Sequence, residues 1–189
     1  MKGIKKIQYN SPLVLSYAII SLFVLILGMI TDKRSTFTLF SVYSSSMSSP
    51  FFYIRMFGHV LGHANVEHYV GNFLLILLVG PMLEERYGTR KLFYMIAITA
   101  VITGIIHMAL FDSMLLGASG VVFMMIILSS YANLKKGRIP LTLMLIIVIF
   151  IGREIVESFT AQNSNISYLS HILGGVLGIA FGYFANKKR

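Results

Sequence analysis

Cysteine is absent from the 189 residues, so no disulfide, thiolate metal site or cysteine nucleophile can be built from this chain. Charge is scarce as well: 12% of residues are Asp, Glu, Lys or Arg against 56% hydrophobic, and the mean hydropathy is +0.78. A soluble domain is typically about a quarter charged, so the polar residues needed to coat a water-facing surface are missing. Acidic residues number seven, and the only aspartates are Asp32 and Asp112. Both lie at the ends of apolar runs. That excludes an aspartyl protease of the membrane interior, which needs two aspartates within its spans.

What is present is apolar length. Residues 7–31, 68–83, 92–111, 113–134, 139–152 and 158–186 contain no charged side chain. A membrane helix needs roughly 17–25 mostly apolar residues, which four of these runs satisfy alone and two by borrowing a turn. The expected fold is therefore an all-α membrane bundle of six transmembrane helices forming one domain over residues 1–189. The expected spans are 12–30, 66–83, 91–110, 117–134, 139–157 and 168–185. The net charge of +9 is a topology signal rather than a nucleic-acid footprint. With both termini cytoplasmic, twelve of the sixteen basic residues flank cytoplasmic span ends, as insertion rules require. Only Lys33, Arg34, Arg55 and Arg153 fall elsewhere. The first apolar run is too long for a signal-peptide core and lacks a small-residue cleavage site, so it reads as a retained span.

No internal repeat relates residues 1–90 to 91–189, which weakens an inverted-repeat transporter. Pro12 and Pro140 sit at span starts, where a missing N–H costs nothing. Residues 31–65 form a long outer segment, serine-rich from Ser44 to Ser49 and carrying Phe37, Phe40, Phe51 and Phe52. Long loops in compact domains are usually functional or disordered; the aromatics suggest that this one lies partly in the outer leaflet.

The chemistry gathers where polar residues meet the spans. His68 and Asn72 lie at i and i+4 near the outer end of span 2 and share a helix face. Ser119 sits in Gly117-Ala118-Ser119-Gly120 at the outer start of span 4, and His171 lies a few residues into span 6, again from outside. Each has a bland reading taken singly, as helix cap, close packing or interhelical bond. Together, at matching depth, they suit acyl transfer. A serine hydroxyl is a weak nucleophile until a base accepts its proton, and imidazole is the usual base. A serine at a helix start has unpaired N–H groups and the positive dipole end around it, to which His68 and Asn72 add side-chain donors. The flanking glycines would leave room for a substrate backbone.

These residues carry a resemblance to the rhomboid family of intramembrane serine proteases, in its six-span bacterial form. The matching motifs are Gly-x-Ser-Gly at 117–120, His-x-x-x-Asn at 68–72 and His-x-x-Gly-x-x-x-Gly at 171–178, and the likeness covers roughly residues 50–185. The resemblance implies Ser119 as nucleophile and His171 as general base in a dyad. It implies an oxyanion hole from His68, Asn72 and the Ser119 backbone N–H, with transmembrane proteins as substrates and no cofactor or metal. It also implies that residues 158–167 cap the site, that span 5 acts as a lateral gate, and that Glu84-Glu85-Arg86 is a structural tie remote from the chemistry. Two positions depart from the pattern: Ile54-Arg55 stands where the family often has Trp-Arg, and Phe123 where many members have a tyrosine stacked on the histidine.

Alternatives remain. His63-Ala64-Asn65-Val66-Glu67-His68 is similar to an inverted zinc motif but one residue too long; His59 and His63 could ligate zinc if helical, though polar packing suits them better. His107 reads as a buried hydrogen-bonding residue. A Gly-x-Ser-x-Gly hydrolase elbow is excluded because Val121 takes the second glycine's place. A non-catalytic rhomboid-like binder of transmembrane clients is the rival of a different class, although such relatives typically lack the serine or histidine.

Overall fold

The computed structural model describes residues 9–132, the isolated positions 141, 144, 145, 148 and 149, and residues 165–187. The described residues form seven helices: α1 (Pro12–Ile30), α2 (Arg34–Leu39), α3 (Pro50–Gly58), α4 (Val66–Tyr87), α5 (Thr89–Leu110), α6 (Ser119–Ala132) and α7 (Asn165–Lys187). Four stretches are long and apolar enough to cross a membrane: Pro12–Ile30, Val66–Tyr87, Thr89–Leu110 and Tyr168–Ala185. The chain is thus an all-helical, multi-pass membrane protein. The expected fifth span, 139–157, lies outside the described residues apart from the five isolated positions. So do residues 158–164 of the expected cap, whereas 165–167 already belong to α7.

Helix α6 is apolar on every side, the pattern of a helix buried all round. Val121, Met124, Met125 and Leu128 are fully buried. It packs most extensively on α7 and next on α4; α1 packs on α4, and α5 lies against α7 and α3. The faces turned away from α6 carry large apolar groups such as Phe23, Leu74, Leu78 and Ile172. In water such a belt would be a liability; among acyl chains it is the expected outer face.

The ends of the helices follow from local chemistry. Pro12 opens α1, where Ser11 makes no side-chain cap. The Glu84 carboxylate instead accepts from Leu13 N and Val14 N, both at 3.0 Å, and from Thr89 Oγ1 at 2.7 Å. A buried carboxylate on free amides at a positive helix end is favourable on both counts. It ties α1, α4 and the start of α5 together. Gly88 turns the chain between α4 and α5 with φ +82°, a conformation rather than a crowding requirement, since nothing lies within 4 Å of a Cβ placed there.

The segment 31–65 is built around Arg55. This buried guanidinium donates to Tyr43 Oη at 3.0 Å, Ser45 Oγ at 2.6 Å and the Thr38 carbonyl at 3.4 Å, and lies 4.4 Å above the Tyr43 ring. The departure at Ile54 therefore leaves the arginine's anchoring in place; Ile54 itself is exposed.

Candidate active site

Ser119 is the first residue of α6, two residues inside the expected extent of that span. Gly117 explains the difference: its φ of +120° breaks helical geometry and turns the preceding loop into the helix. That loop is fastened at three points. Leu115 and Val42 exchange both backbone bonds at 2.9 Å, and Gly117 N donates to the His59 carbonyl at 2.9 Å. His107 Nε2 donates to the Ser113 carbonyl at 2.8 Å from the last turn of α5. Segment 31–65 is thus the bed on which the Ser119 loop lies.

His68 stands in the first turn of α4, which Asn65 caps by accepting from His68 N at 2.8 Å. Its ring faces Gly117, where a Cβ would come within 2.6 Å of His68 Cε1 and 2.8 Å of Nε2. Only glycine can hold that position, both for space and for φ. One turn further along α4, Asn72 is buried, and its Nδ2 has no hydrogen-bond partner among the described residues. An unsatisfied buried donor is costly, so this amide is a candidate for a ligand's oxygen.

Helix α7 meets α6 through glycine. A Cβ on Gly174 would collide with the Gly120 backbone, and one on Gly178 would come to 2.6 Å from the Met124 carbonyl. Gly120 in turn faces the Ser170 carbonyl, 3.2 Å from where its Cβ would be. The residues after Ser119 and before His171 are therefore in contact, and the Phe123 ring, one turn below Ser119, stacks on His171 at 4.4 Å. The expectation that the glycines beside Ser119 leave room for substrate is corrected. The His68 ring fills the space at Gly117, and Ser170 with the Thr103 methyl closes that at Gly120.

The other histidines are engaged otherwise. His59 Nε2 donates to the Ala100 carbonyl at 3.0 Å and His63 Nδ1 to the Leu61 carbonyl at 3.1 Å. Burial pushes both imidazoles down to about 4. The His63 ring packs edge-on against His68 with centroids 5.1 Å apart. Among the described residues no three His, Asp or Glu side chains converge as a metal site requires. Sequence reasoning missed the Leu115–Val42 pairing and the role of Gly117; the first left no signal, and the second was visible only as a glycine.

A rhomboid-domain family model matches residues 50–188. Rhomboid-related protein 2 of Mus musculus is 29% identical over 143 residues, covering 68% of this chain and 47% of that protein. Rhomboid-related protein 1 of Caenorhabditis elegans is 31% identical over 141 residues, 68% of this chain and 39% of the relative. Rhomboid protease GlpG of Salmonella paratyphi A is 29% identical over 133 residues, with 68% and 47% covered. The matched region thus spans less than half the length of each of these curated relatives. With the family model covering most of the chain, including both helices that carry Ser119 and His171, the protein belongs to the rhomboid family.

Proposed function

We propose that the chain is an intramembrane serine endopeptidase that cleaves transmembrane segments of client proteins near the outer leaflet. It would cross a bacterial-type cytoplasmic membrane six times, with both termini in the cytoplasm. The observation that carries this reading is the seating of α7 on α6. The glycine contacts and the Phe123–His171 stack bring the imidazole-bearing turn against the start of the helix that opens with Ser119. The membership of a family that includes a named protease supports it.

In this mechanism His171 accepts the Ser119 hydroxyl proton as Oγ attacks the scissile carbonyl carbon. The C=O π bond breaks to leave an oxyanion, which the Ser119 N–H, His68 and the Asn72 amide stabilise. The tetrahedral intermediate collapses, the C–N bond breaks, and His171 gives its proton to the departing amine. Water, deprotonated by His171, then attacks the ester carbonyl and regenerates Ser119. An oxyanion at a helix N-terminus gains from the dipole and free amides. The chemistry needs no metal or nucleotide. By the family resemblance, the client would offer small residues at the cut and helix-breaking residues nearby.

Labelling with a fluorophosphonate probe tests the reading. Wild-type protein should react at Ser119 and Ser119→Ala should not. A folded wild-type protein that neither labels nor cleaves would favour a non-catalytic binder of transmembrane clients.

A further inference from the structure

Where α1 ends, the chain makes an unusual corner. Asp32 and Lys33 occupy the left-handed region with φ 50° and 62°, uncommon for residues other than glycine and costly enough to ask what it serves. The corner forms an open groove of about 710 Å³ lined by Ile30, Asp32, Arg34, Ser35, Leu39 and Phe51. Its apolar wall, Ile30, Leu39 and Phe51, continues the outer surface of the bundle, with Ile30 and Phe51 exposed. Its polar wall holds opposite charges that do not meet. Asp32 and Arg34 form no ion pair with each other or with another described residue. The hydroxyls are oriented: Thr31 Oγ1 lies 2.8 Å from the Leu27 carbonyl, which takes its proton. Ser35 Oγ, 2.8 Å from Thr31 Oγ1, must then donate to it, which leaves its lone pairs as acceptors.

We propose that this groove binds a phospholipid headgroup carrying both a phosphate and a primary ammonium, such as phosphatidylethanolamine. The Arg34 guanidinium would take the phosphate, for which its planar fork is suited. Asp32 and the Ser35 hydroxyl would accept from the ammonium, and the acyl chains would run down the apolar wall. The site lies where α1 leaves the membrane, at headgroup depth in either orientation of the chain. Zwitterionic complementarity separates this occupant from an anionic lipid, which would face the Asp32 carboxylate. It also excludes a quaternary ammonium, which has no N–H to donate.

The test is native mass spectrometry of the full chain, purified in detergent with equal amounts of phosphatidylethanolamine, phosphatidylcholine and phosphatidylglycerol. Wild type should retain phosphatidylethanolamine about five- to tenfold over either competitor, the net scale of one hydrogen bond. Arg34→Gln should abolish the preference, and Asp32→Asn should erase the discrimination against phosphatidylglycerol while leaving a lipid bound. Both side chains are exposed, so folding should survive, and matching melting temperatures without lipid check this. Equal retention of the three lipids by wild type, a preference for phosphatidylglycerol, or undiminished preference in both variants would overturn the proposal.

Discussion

The Phe123 ring lies flat against the imidazole of His171, with centroids 4.4 Å apart and planes 10° from parallel. Offset aromatic stacking of this kind contributes about 0.5–1.5 kcal/mol, and it restricts the ring's rotation about χ2. Phenylalanine provides the stack without a hydroxyl. Phe123→Ala should lower turnover about 10- to 100-fold in a proteoliposome cleavage assay, the scale on which a misplaced catalytic group acts, and Phe123→Tyr should retain activity. A Phe123→Ala variant at wild-type rate would mean that the stack does not position His171.

The α6–α7 contact predicts a graded series. Gly174→Val and Gly178→Val drive side-chain atoms into the Gly120 backbone and the Met124 carbonyl. Each should lose most activity and unfold more readily in detergent, by roughly 1–3 kcal/mol for overpacking. Gly175→Ala should be near neutral, because its Cβ meets only Ile127 Cγ1 at 3.8 Å. Melting temperature and turnover, measured together, separate lost packing from lost chemistry.

Asn72 offers a buried Nδ2 that is unpaired among the described residues. Removing one oxyanion donor typically costs about 10²–10³ in rate. Asn72→Ala should therefore slow turnover on that scale with the melting temperature unchanged or higher, since an unsatisfied buried group is removed with it. Wild-type turnover would assign Asn72 to packing.

Four of the expected spans, 12–30, 66–83, 91–110 and 168–185, were legible and fall on helices long and apolar enough to cross a membrane, because bilayer-length apolar runs leave little else for the chain to do. The glycine face of α7 was legible too: Gly174 and Gly178 repeat at helical spacing, and they pack on α6 as that spacing implies. Alternating spans gave the expectation that His68, Ser119 and His171 share one depth; what the structure shows is the His68 ring facing Gly117 and the Ser170 carbonyl facing Gly120. The bed beneath the Ser119 loop was not legible. Val42 pairs with Leu115 across 73 positions of the chain, and periodicity carries no trace of so distant a backbone contact. Glu84 was recognised as structural, but besides the Thr89 hydroxyl its partners are main-chain amides on α1, which no side-chain motif announces. Gly117 read as room for substrate, because a glycine's sequence symbol does not say which neighbour fills the space.

Two buried imidazoles set a pH dependence. His59 and His63 stay neutral in the folded protein down to about 4 but charge near their ordinary 6.5 once unfolded. Between those values the unfolded state binds more protons, so stability is full above about 6.5 and falls as the pH drops towards about 4. The loss is on the order of 2–3 kcal/mol per group. Melting temperature in detergent should decline across this window, and the decline should be shallower in His59→Gln and His63→Gln. A flat profile in wild type would contradict their neutral burial.

The central claim is that Ser119 performs the cleavage. The most direct measurement is turnover of a fluorogenic transmembrane substrate in proteoliposomes by wild type, Ser119→Ala and His171→Ala, with EDTA as a further arm. The account predicts cleavage by wild type that EDTA leaves untouched, none above background in either variant, and an acyl or phosphonyl adduct confined to Ser119. Full cleavage by Ser119→Ala would contradict it, and inhibition by EDTA that zinc reverses would turn attention to the histidines around His63.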